Sequence, residues 1–283
     1  MAKRLRDVRS RDRKVFWYES LDFFLSHNYF ETGMHCFQCG GLFYDVLIEN
    51  NNAETTNYFF SNTVYNKDII LPYYSDVFKS KIANQVFFSD PNLLIDDKLD
   101  VAWFAGKYRD INLQDILLKT IRHIDKSLKS KKQIFFGKNS GGFAALFFSW
   151  FFKNSLAFVV NPQTKISGLN QEDSIKNFAK YCFSDSNLNM SKKLELICPD
   201  LTKLYALIMD NNVVCLQNQF SNYMDLHLTP FLEKIKCPEK AKVIYGNCDE
   251  GNIDLAFNYI QQFLICFEHS DDWTDAIQAD FIN

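Results

Sequence analysis

A glycine-rich turn between two apolar segments has the residue types and spacing for acyl chemistry. The stretch IFFGKNSGGFAALFF, residues 134–148, contains an apolar run, a glycine, a serine and two further glycines. A strand, a sharp turn and a helix in this order carry the nucleophilic serine of many hydrolases. Such a serine attacks an acyl carbon with a histidine as general base, and an acidic side chain orients the histidine.

Two registers of this stretch place different residues at the tip of the turn. With Ser140 at the tip, Lys138 occupies the position of the first glycine in G-x-S-x-G. With Asn139 at the tip, Gly137 and Gly141 both match the pattern. Asn also tolerates a positive φ better than most other non-glycine residues. The glycine pattern therefore favours Asn139, whose amide can hold the turn but cannot attack a carbonyl.

The same stretch and the one after it resemble a known group of proteins. FGKNSGGFAALFFS and AFVVNPQTKI are similar to the α/β-hydrolase-like proteins of bacterial surface-glycan and capsule loci. That group includes polysaccharide O-acetyltransferases and the acetyltransferase component of accessory secretion systems. Its usual form is similar to G-S-S-x-G-G-[FY]-A-A-L, with serine at the position of Asn139. The resemblance is most specific over residues 134–165 and weaker from about 57 to 255, and the first 50 residues add nothing to it.

The resemblance implies an acid after the next-to-last strand and a histidine after the last one. The segment VVCLQNQFSNYMDLHLTPF, residues 213–231, offers Asp225 as the acid, and Asp249 is a second candidate by its position after a strand. Asn252 stands where the family pattern places its histidine. His227 is the histidine expected near the site, because it lies two residues from Asp225. A single histidine in such a place is more often a structural hydrogen-bonding residue.

The backbone amides that stabilise an oxyanion do not depend on the nucleophile. In the favoured register the N–H group of Ser140 follows the tip, and the loop after an early strand offers a second donor. We therefore expect the crevice to bind an acyl group or a glycan even without turnover. The residues predicted to form it are Ser61, Asn62, Ser140, Gly141 and Gln163.

The sequence is compatible with two functions. The first is a catalytically degenerate serine-hydrolase fold, with Asn139 and Asn252 at the catalytic positions, that acts as a binding or scaffold subunit. Its partners would be glycan-modifying enzymes such as glycosyltransferases of the same locus. The second is an active O-acyl esterase or O-acetyltransferase that uses Ser140 with Asp225 and His227. Both predict a glycan or acyl-bearing small molecule as the ligand.

Short apolar runs that alternate with amphipathic segments predict the elements that position these residues. Such an alternation is typical of a three-layer α/β fold with a mostly parallel central sheet, in which ligands bind at the carboxyl ends of the strands. The resemblance implies that this fold is α/β-hydrolase-like. The predicted strands are 35–39, 57–61, 85–89, 101–105, 134–137, 157–161, 213–218 and 242–247. The predicted helices are 112–130, 141–153 and 256–268.

The two ends of the chain and one internal segment depart from this rhythm. Residues 1–14 carry seven Lys/Arg and two Asp/Glu, although the whole chain has a formal net charge of −3. We expect a basic amino-terminal extension over 1–30, which is interpreted first as a solvated terminus and alternatively as a peripheral contact with an anionic membrane. A hydrolase-like domain over 31–268 with a lid insertion at 168–210, and an acidic tail over 269–283, complete the predicted organisation. No stripe of basic and aromatic residues indicates a nucleic-acid partner.

The composition favours a reduced, cytoplasmic protein that needs no cofactor. No apolar stretch reaches the roughly 18 residues of a membrane span, and no apolar core follows the basic start as in a secretory signal. Cys36 and Cys39 form a Cys-x-x-Cys pair beside His35, but a zinc site needs four ligands and no second pair is present. We therefore expect structural cysteines and no metal. GKNSGG also lacks the residue order of a phosphate-binding loop.

Overall fold

The computed structural model describes residues 3–9, 13–74, 78–109, 111–166, 172–183, 187–218, 221–246 and 253–278. The strands are β1 Val15–Tyr18, β2 Gly33–Cys39, β3 Leu42–Glu49, β4 Thr55–Phe60, β5 Asn84–Phe88, β6 Lys107–Tyr108, β7 Ile111–Asn112, β8 Lys132–Lys138, β9 Leu156–Val160, β10 Asn212–Asn218 and β11 Ala241–Gly246. The helices are α1 Leu21–Ser26, α2 Leu113–Leu128, α3 Asn139–Ser149, α4 Glu172–Tyr181, α5 Met190–Leu194, α6 Leu201–Leu207, α7 Thr229–Leu232, α8 Ile253–His269 and α9 Trp273–Gln278. Short 3-10 turns cover Pro91–Leu94 and Pro238–Lys240, and a π-helical turn covers Met224–Leu228.

Nine strands form one central sheet in the order β1-β2-β3-β5-β4-β8-β9-β10-β11, while β6 and β7 pair separately. β3 runs antiparallel to β2 and β5, and every other pair in the central sheet is parallel. The carboxyl ends of β4, β8, β9 and β10 therefore lie at one edge of the sheet. The predicted α/β fold with a mostly parallel sheet is confirmed.

Alternate residues of the central strands supply two apolar layers. In β8, Phe135 packs into the layer that contains α2 and α3, whereas Ile134 and Phe136 pack into the layer that contains α8. Because side chains alternate across a strand, each Phe-Phe pair places one ring on each face. Phe59 of β4, for example, stacks on Phe87 of β5 with ring centres 4.6 Å apart. The abundant phenylalanines thus fill both layers of the core.

Seven of the eight predicted strands are confirmed to within two residues at the ends that the structure describes. The strand predicted at 101–105 is wrong, because this run is a buried turn. Trp103 and Phe104 both have positive φ values, 52° and 53°, and neither pairs with the sheet. Burial of consecutive apolar residues does not distinguish a strand from a tightly packed turn. Strands β1 and β3 of the central sheet and the short strands β6 and β7 were not predicted.

The first 30 residues contribute to the fold rather than only extending from it. β1 pairs with β2 as an edge strand. Several basic side chains of this segment are engaged: Arg4 bonds carbonyl oxygens of Leu93 and Asp96, and Arg6, Arg13 and Lys14 pair with Asp45, Glu49 and Glu31. Within 168–210, the described residues form α4, α5 and α6. The domain boundaries stay predictions.

Candidate functional site

The turn between β8 and α3 has Asn139 at its tip. Asn139 has φ 46°, in the left-handed region, and is half-buried at the first position of the helix. Its backbone carbonyl accepts a hydrogen bond of 3.0 Å from the N–H of Gln163, in the loop after β9. Among the described residues, none forms a hydrogen bond with the side-chain amide of Asn139. The favoured register therefore agrees with the backbone geometry.

Three glycines allow the helix to begin against the ends of the strands. A Cβ atom at Gly137 would lie 2.1 Å from the carbonyl oxygen of Gly141, inside the turn itself. A Cβ at Gly141 would lie 2.5 Å from the carbonyl oxygen of Phe60, at the end of β4. A Cβ at Gly142 would lie 3.0 Å from Pro162, in the loop after β9. The start of α3 is thus packed between its two neighbouring strands, as in a nucleophile elbow.

Ser140 lies inside the first turn of α3, behind the tip. Its side chain is buried, with only 3% of the residue exposed. The hydroxyl donates to Oδ1 of Asn62 at 3.3 Å and shares a 3.2 Å hydrogen bond with Oγ1 of Thr63. These contacts tie the helix start to the loop after β4. In this position Ser140 links two loops and does not present its hydroxyl at the apex.

Ser61 faces the core, so the prediction that it lines the oxyanion crevice is not supported by its contacts. Its N–H donates to the carbonyl oxygen of Phe88 at 3.2 Å, which leaves no amide for an oxyanion. Its buried hydroxyl has no hydrogen-bond partner among the described residues. Ser61 lines a cavity of about 10 Å³ with Phe59 and Phe87, which is room for about one water molecule. Asn62 instead lies beside Ser140, where its Oδ1 also accepts from the N–H of Thr63 at 2.7 Å.

Gln163 organises the site through both ends of its side chain. Its Oε1 accepts from the indole Nε1 of Trp103 at 2.5 Å, and its Nε2 donates to the hydroxyl of Tyr223 at 3.1 Å. With the backbone bond to Asn139, this buried residue joins four segments of the chain. Because the Tyr223 oxygen accepts this bond, its own O–H remains available to donate. Tyr223 is half-buried and Gln163 is buried, so Tyr223 is the more accessible of the two side chains.

Trp103 and Tyr223 were not identified from the sequence. Trp103 lies in the strained turn at 101–105, which Asp90 supports by accepting the N–H of Phe104 at 2.7 Å. Burial raises the pKa of Asp90 to about 7, although its backbone and side-chain hydrogen bonds oppose this shift. Strained backbone at bulky residues clusters at binding and catalytic sites. In the sequence this segment is DVAWFA, residues 100–105, an acidic residue followed by apolar ones. That pattern does not predict such a turn.

His227 is fully buried in the π-helical turn. Its Nδ1 accepts the N–H of Thr164 at 3.3 Å, and its carbonyl oxygen accepts the hydroxyl of Thr164 at 2.9 Å. Burial, with a smaller contribution from nearby Lys165, lowers the pKa of His227 to about 4. The ring is therefore neutral at pH 7 and carries its proton on Nε2, which has no hydrogen-bond partner among the described residues. Its contacts attach this turn to the loop after β9.

The structure does not bring the three predicted catalytic side chains into one relay. Asp225 lies on the same turn as His227 but is exposed, and no described residue accepts or donates a hydrogen bond with its carboxylate. Ser140 bonds to Asn62, and His227 bonds to Thr164. Asn252 and Asp249 lie outside the described residues.

The geometry of β2 places the thiols of Cys36 and Cys39 on opposite faces of the strand. Cys36 is buried and Cys39 is half-buried in β2, and residues three apart in a strand point to opposite faces. One metal ion could not bind both thiols in this arrangement. Over the described ranges, no group of three His, Cys, Asp or Glu side chains is arranged to hold a metal. No helix within those ranges is long and apolar enough to cross a bilayer.

Comparison with solved structures places this geometry in a known fold. The capsule O-acetyltransferase of Neisseria meningitidis serogroup A matches with a TM-score of 0.61 and 17% identity, over 85% of this chain and 96% of that chain. The acylaminoacyl peptidase of Pyrococcus horikoshii matches with a TM-score of 0.54 and 14% identity, over 87% of this chain and 42% of that chain. The fold is that of the α/β-hydrolases.

A third structure is the Glycosylation Associate Protein complex from Streptococcus agalactiae, with a TM-score of 0.52 and 12% identity, over 82% of this chain and 45% of that chain. No protein-family model and no curated protein sequence matches the chain. At these identities the likeness establishes the fold. Within this fold, Asn139 lies at the strand-to-helix turn after β8.

Proposed function

We propose that the chain is a catalytically inactive protein with an α/β-hydrolase fold that binds a glycan or an acyl-bearing small molecule. It would act as a binding or scaffold subunit in the modification of surface glycans. The observation that carries this proposal is the left-handed backbone of Asn139 at the elbow. This position holds the nucleophile in active members of the fold.

An asparagine at this position cannot support acyl transfer. Its amide nitrogen is delocalised into the adjacent carbonyl, so it does not form a covalent intermediate with an acyl carbon. Loss of the nucleophile alone typically costs about 10⁶ in kcat. The sequence adds Asn252 at the position where the resembled family has its histidine. Two independent losses agree with a binding role better than with a displaced catalytic set.

The elbow keeps features that suit ligand binding. The first N–H groups of a helix have no intrahelical acceptors, and the helix dipole makes that end positive. At the start of α3 these groups include those of Ser140 and Gly141, next to the tip. The Tyr223 hydroxyl, oriented by Gln163, adds a donor. Such a set would hold a carbonyl or a sugar oxygen without turning it over.

The glycan context of this proposal comes from the folds to which the chain is similar. One is a capsule O-acetyltransferase, and a further structure of that enzyme is a complex with CoA. Another is a glycosylation-associated complex. Glycosyltransferases encoded in the same locus are the proposed partners, and the cytoplasm is the proposed location. The alternative activity, an esterase or O-acetyltransferase that uses Ser140, requires its hydroxyl to leave Asn62 and Thr63.

Restoring the missing groups tests the proposal. The double variant Asn139→Ser, Asn252→His should hydrolyse p-nitrophenyl acetate above the background rate, whereas the wild-type protein should not. Each single variant should stay close to background, because a serine nucleophile needs its base. The matched control is Ser140→Ala, introduced into the wild type and into the double variant. It should leave both rates unchanged, and wild-type turnover that Ser140→Ala abolishes would contradict the proposal.

A further inference from the structure

An exposed apolar cluster lies where α3 and α6 end. Trp150 and Phe151 follow α3, and Leu207 and Ile208 form the end of α6. Leu207 is 76% exposed and Ile208 is 46% exposed, and the two aromatic residues are half-buried. We call these four residues the apolar edge patch. Their exposure differs from that of α3 itself, where every residue after Asn139 is buried.

Defined contacts join the two helix ends at the apolar edge patch. The indole Nε1 of Trp150 donates to the carbonyl oxygen of Ile208 at 2.7 Å, which joins the two helix ends. The rings of Trp150 and Phe151 are in edge contact, with centres 4.9 Å apart. Phe151 also contacts the ring of Phe147 at 5.2 Å. The patch is therefore held together by defined contacts.

Cations adjoin the patch without carboxylate partners. The guanidinium of Arg122 lies 5.8 Å from the centre of the Phe151 ring, and Nζ of Lys240 donates to the carbonyl oxygen of Met209 at 3.1 Å. Asp210 is the carboxylate next to the patch in the sequence. The adjoining cations are Arg122, Lys153, Lys203 and Lys240. None of them forms an ion pair within the part of the chain that the structure describes.

This pattern differs from that of the basic amino terminus. There Arg6, Arg13 and Lys14 are paired with carboxylates of the same chain, and Arg4 is buried against carbonyl oxygens. Those charges are partly neutralised within the fold. The charges of Arg122, Lys153 and Lys203 are exposed and remain available to an anionic surface, even though the chain as a whole has a net charge of −3. The membrane contact expected for residues 1–30 is better placed at this patch.

We propose that the apolar edge patch docks on the surface of an anionic lipid bilayer. Leu207, Ile208 and the two aromatic rings would enter the boundary between headgroups and acyl chains, and the cations would contact the headgroups. A protein partner fits less well, because a stable interface buries about 800 Å² on each side and four side chains supply too small a core. Shallow insertion combined with several cations needs no larger surface.

The position of the patch sets the orientation of the docked protein. α3 begins at the elbow and contains 11 residues, so its two ends lie about 16 Å apart. Asn139 is at the carboxyl edge of the sheet, and the patch is at the opposite, amino edge. Docking would therefore leave the elbow facing away from the bilayer and open to ligands in solution. The inference does not depend on whether the elbow binds or turns over a ligand.

Co-sedimentation with vesicles tests the proposal. The full chain should bind vesicles of 30% phosphatidylglycerol and 70% phosphatidylcholine, and should bind pure phosphatidylcholine vesicles weakly. The variant Leu207→Ser, Ile208→Ser should lower the partition coefficient at least about tenfold, because it removes exposed apolar area only. The matched control Ile82→Ser, Ile265→Ser changes residues that are 45% and 42% exposed elsewhere and should bind like the wild type. Circular dichroism establishes that both variants fold.

Charge-removing variants test the electrostatic contribution to vesicle binding. Arg122→Gln and Lys153→Gln should each lower binding about fivefold, and 0.5 M NaCl should weaken wild-type binding. Lys67→Gln, which removes an exposed cation of the segment after β4, is the control. The proposal is overturned if the wild type does not bind the anionic vesicles, or if Leu207→Ser, Ile208→Ser binds them equally well. It is also overturned if the patch variants still bind anionic vesicles and lose only their binding to an acidic protein.

Discussion

A graded series of glycine-to-alanine variants tests how closely α3 packs against the strand ends. The added Cβ would lie 2.1 Å from a backbone atom in Gly137→Ala, 2.5 Å in Gly141→Ala and 3.0 Å from the Pro162 side chain in Gly142→Ala. The first two contacts are with backbone carbonyl oxygens, which cannot rotate away. Alanine also gains roughly 0.5–1 kcal/mol over glycine through backbone entropy, which offsets only the mildest clash.

The expected order of stability follows from these distances. Gly142→Ala should remain within about 1 kcal/mol of the wild type, Gly141→Ala should lose about 2 kcal/mol, and Gly137→Ala should lose at least about 3 kcal/mol. Urea unfolding followed by circular dichroism measures all three free energies on one scale. Equal stability of Gly137→Ala and Gly142→Ala would show that the helix does not begin as close to the strands as the elbow geometry requires.

Two further predictions concern the side chains that surround the elbow. Because burial lowers the pKa of folded His227 to about 4 from about 6.5, the unfolded state takes up the proton first as the pH falls, and stability declines from pH 6.5 toward pH 4. Between pH 7 and pH 5 the wild type should therefore lose about 2 kcal/mol more than His227→Gln, measured by urea unfolding at each pH; an equal loss would refute the shift. Gln163→Leu should lower the unfolding free energy by about 2–3 kcal/mol, since it leaves the buried N–H of Trp103 unpaired. The control Gln38→Leu, at an exposed position, should change the unfolding free energy by less than about 0.5 kcal/mol. Equal changes in the unfolding free energy of these two variants would show that Gln163 does not organise the site.

The elbow could be predicted from the sequence because its requirements are local. A left-handed tip and the close approach of backbone to backbone each allow only a few residue types at fixed positions. Gly137, Asn139 and Gly141 are residues of those types, so the turn is visible in the sequence. Most central strands were predictable for a related reason. They are buried on both faces and therefore appear as short apolar runs. β3 was missed although it is mostly buried, since its Tyr44-Asp45 step interrupts the apolar pattern.

The side-chain contacts of the site could not be predicted, because they join segments far apart in the chain. Trp103 and Tyr223 each reach Gln163 across 60 residues, and no local pattern encodes that pairing. Asp225 and His227 were expected to work together because they are two residues apart. The π-helical turn instead leaves Asp225 exposed and buries His227 against Thr164. Proximity in sequence did not give proximity of functional groups.

The most direct test of the central claim is the intact mass of the wild-type protein after exposure to a fluorophosphonate. With an amide at the elbow and the Ser140 hydroxyl bonded to Asn62 and Thr63, we expect the mass to stay unchanged. The variant Asn139→Ser, Asn252→His should gain one adduct and serves as the positive control. A stoichiometric adduct on Ser140 of the wild type would show that this residue is a nucleophile, and the account of an inactive elbow would be contradicted.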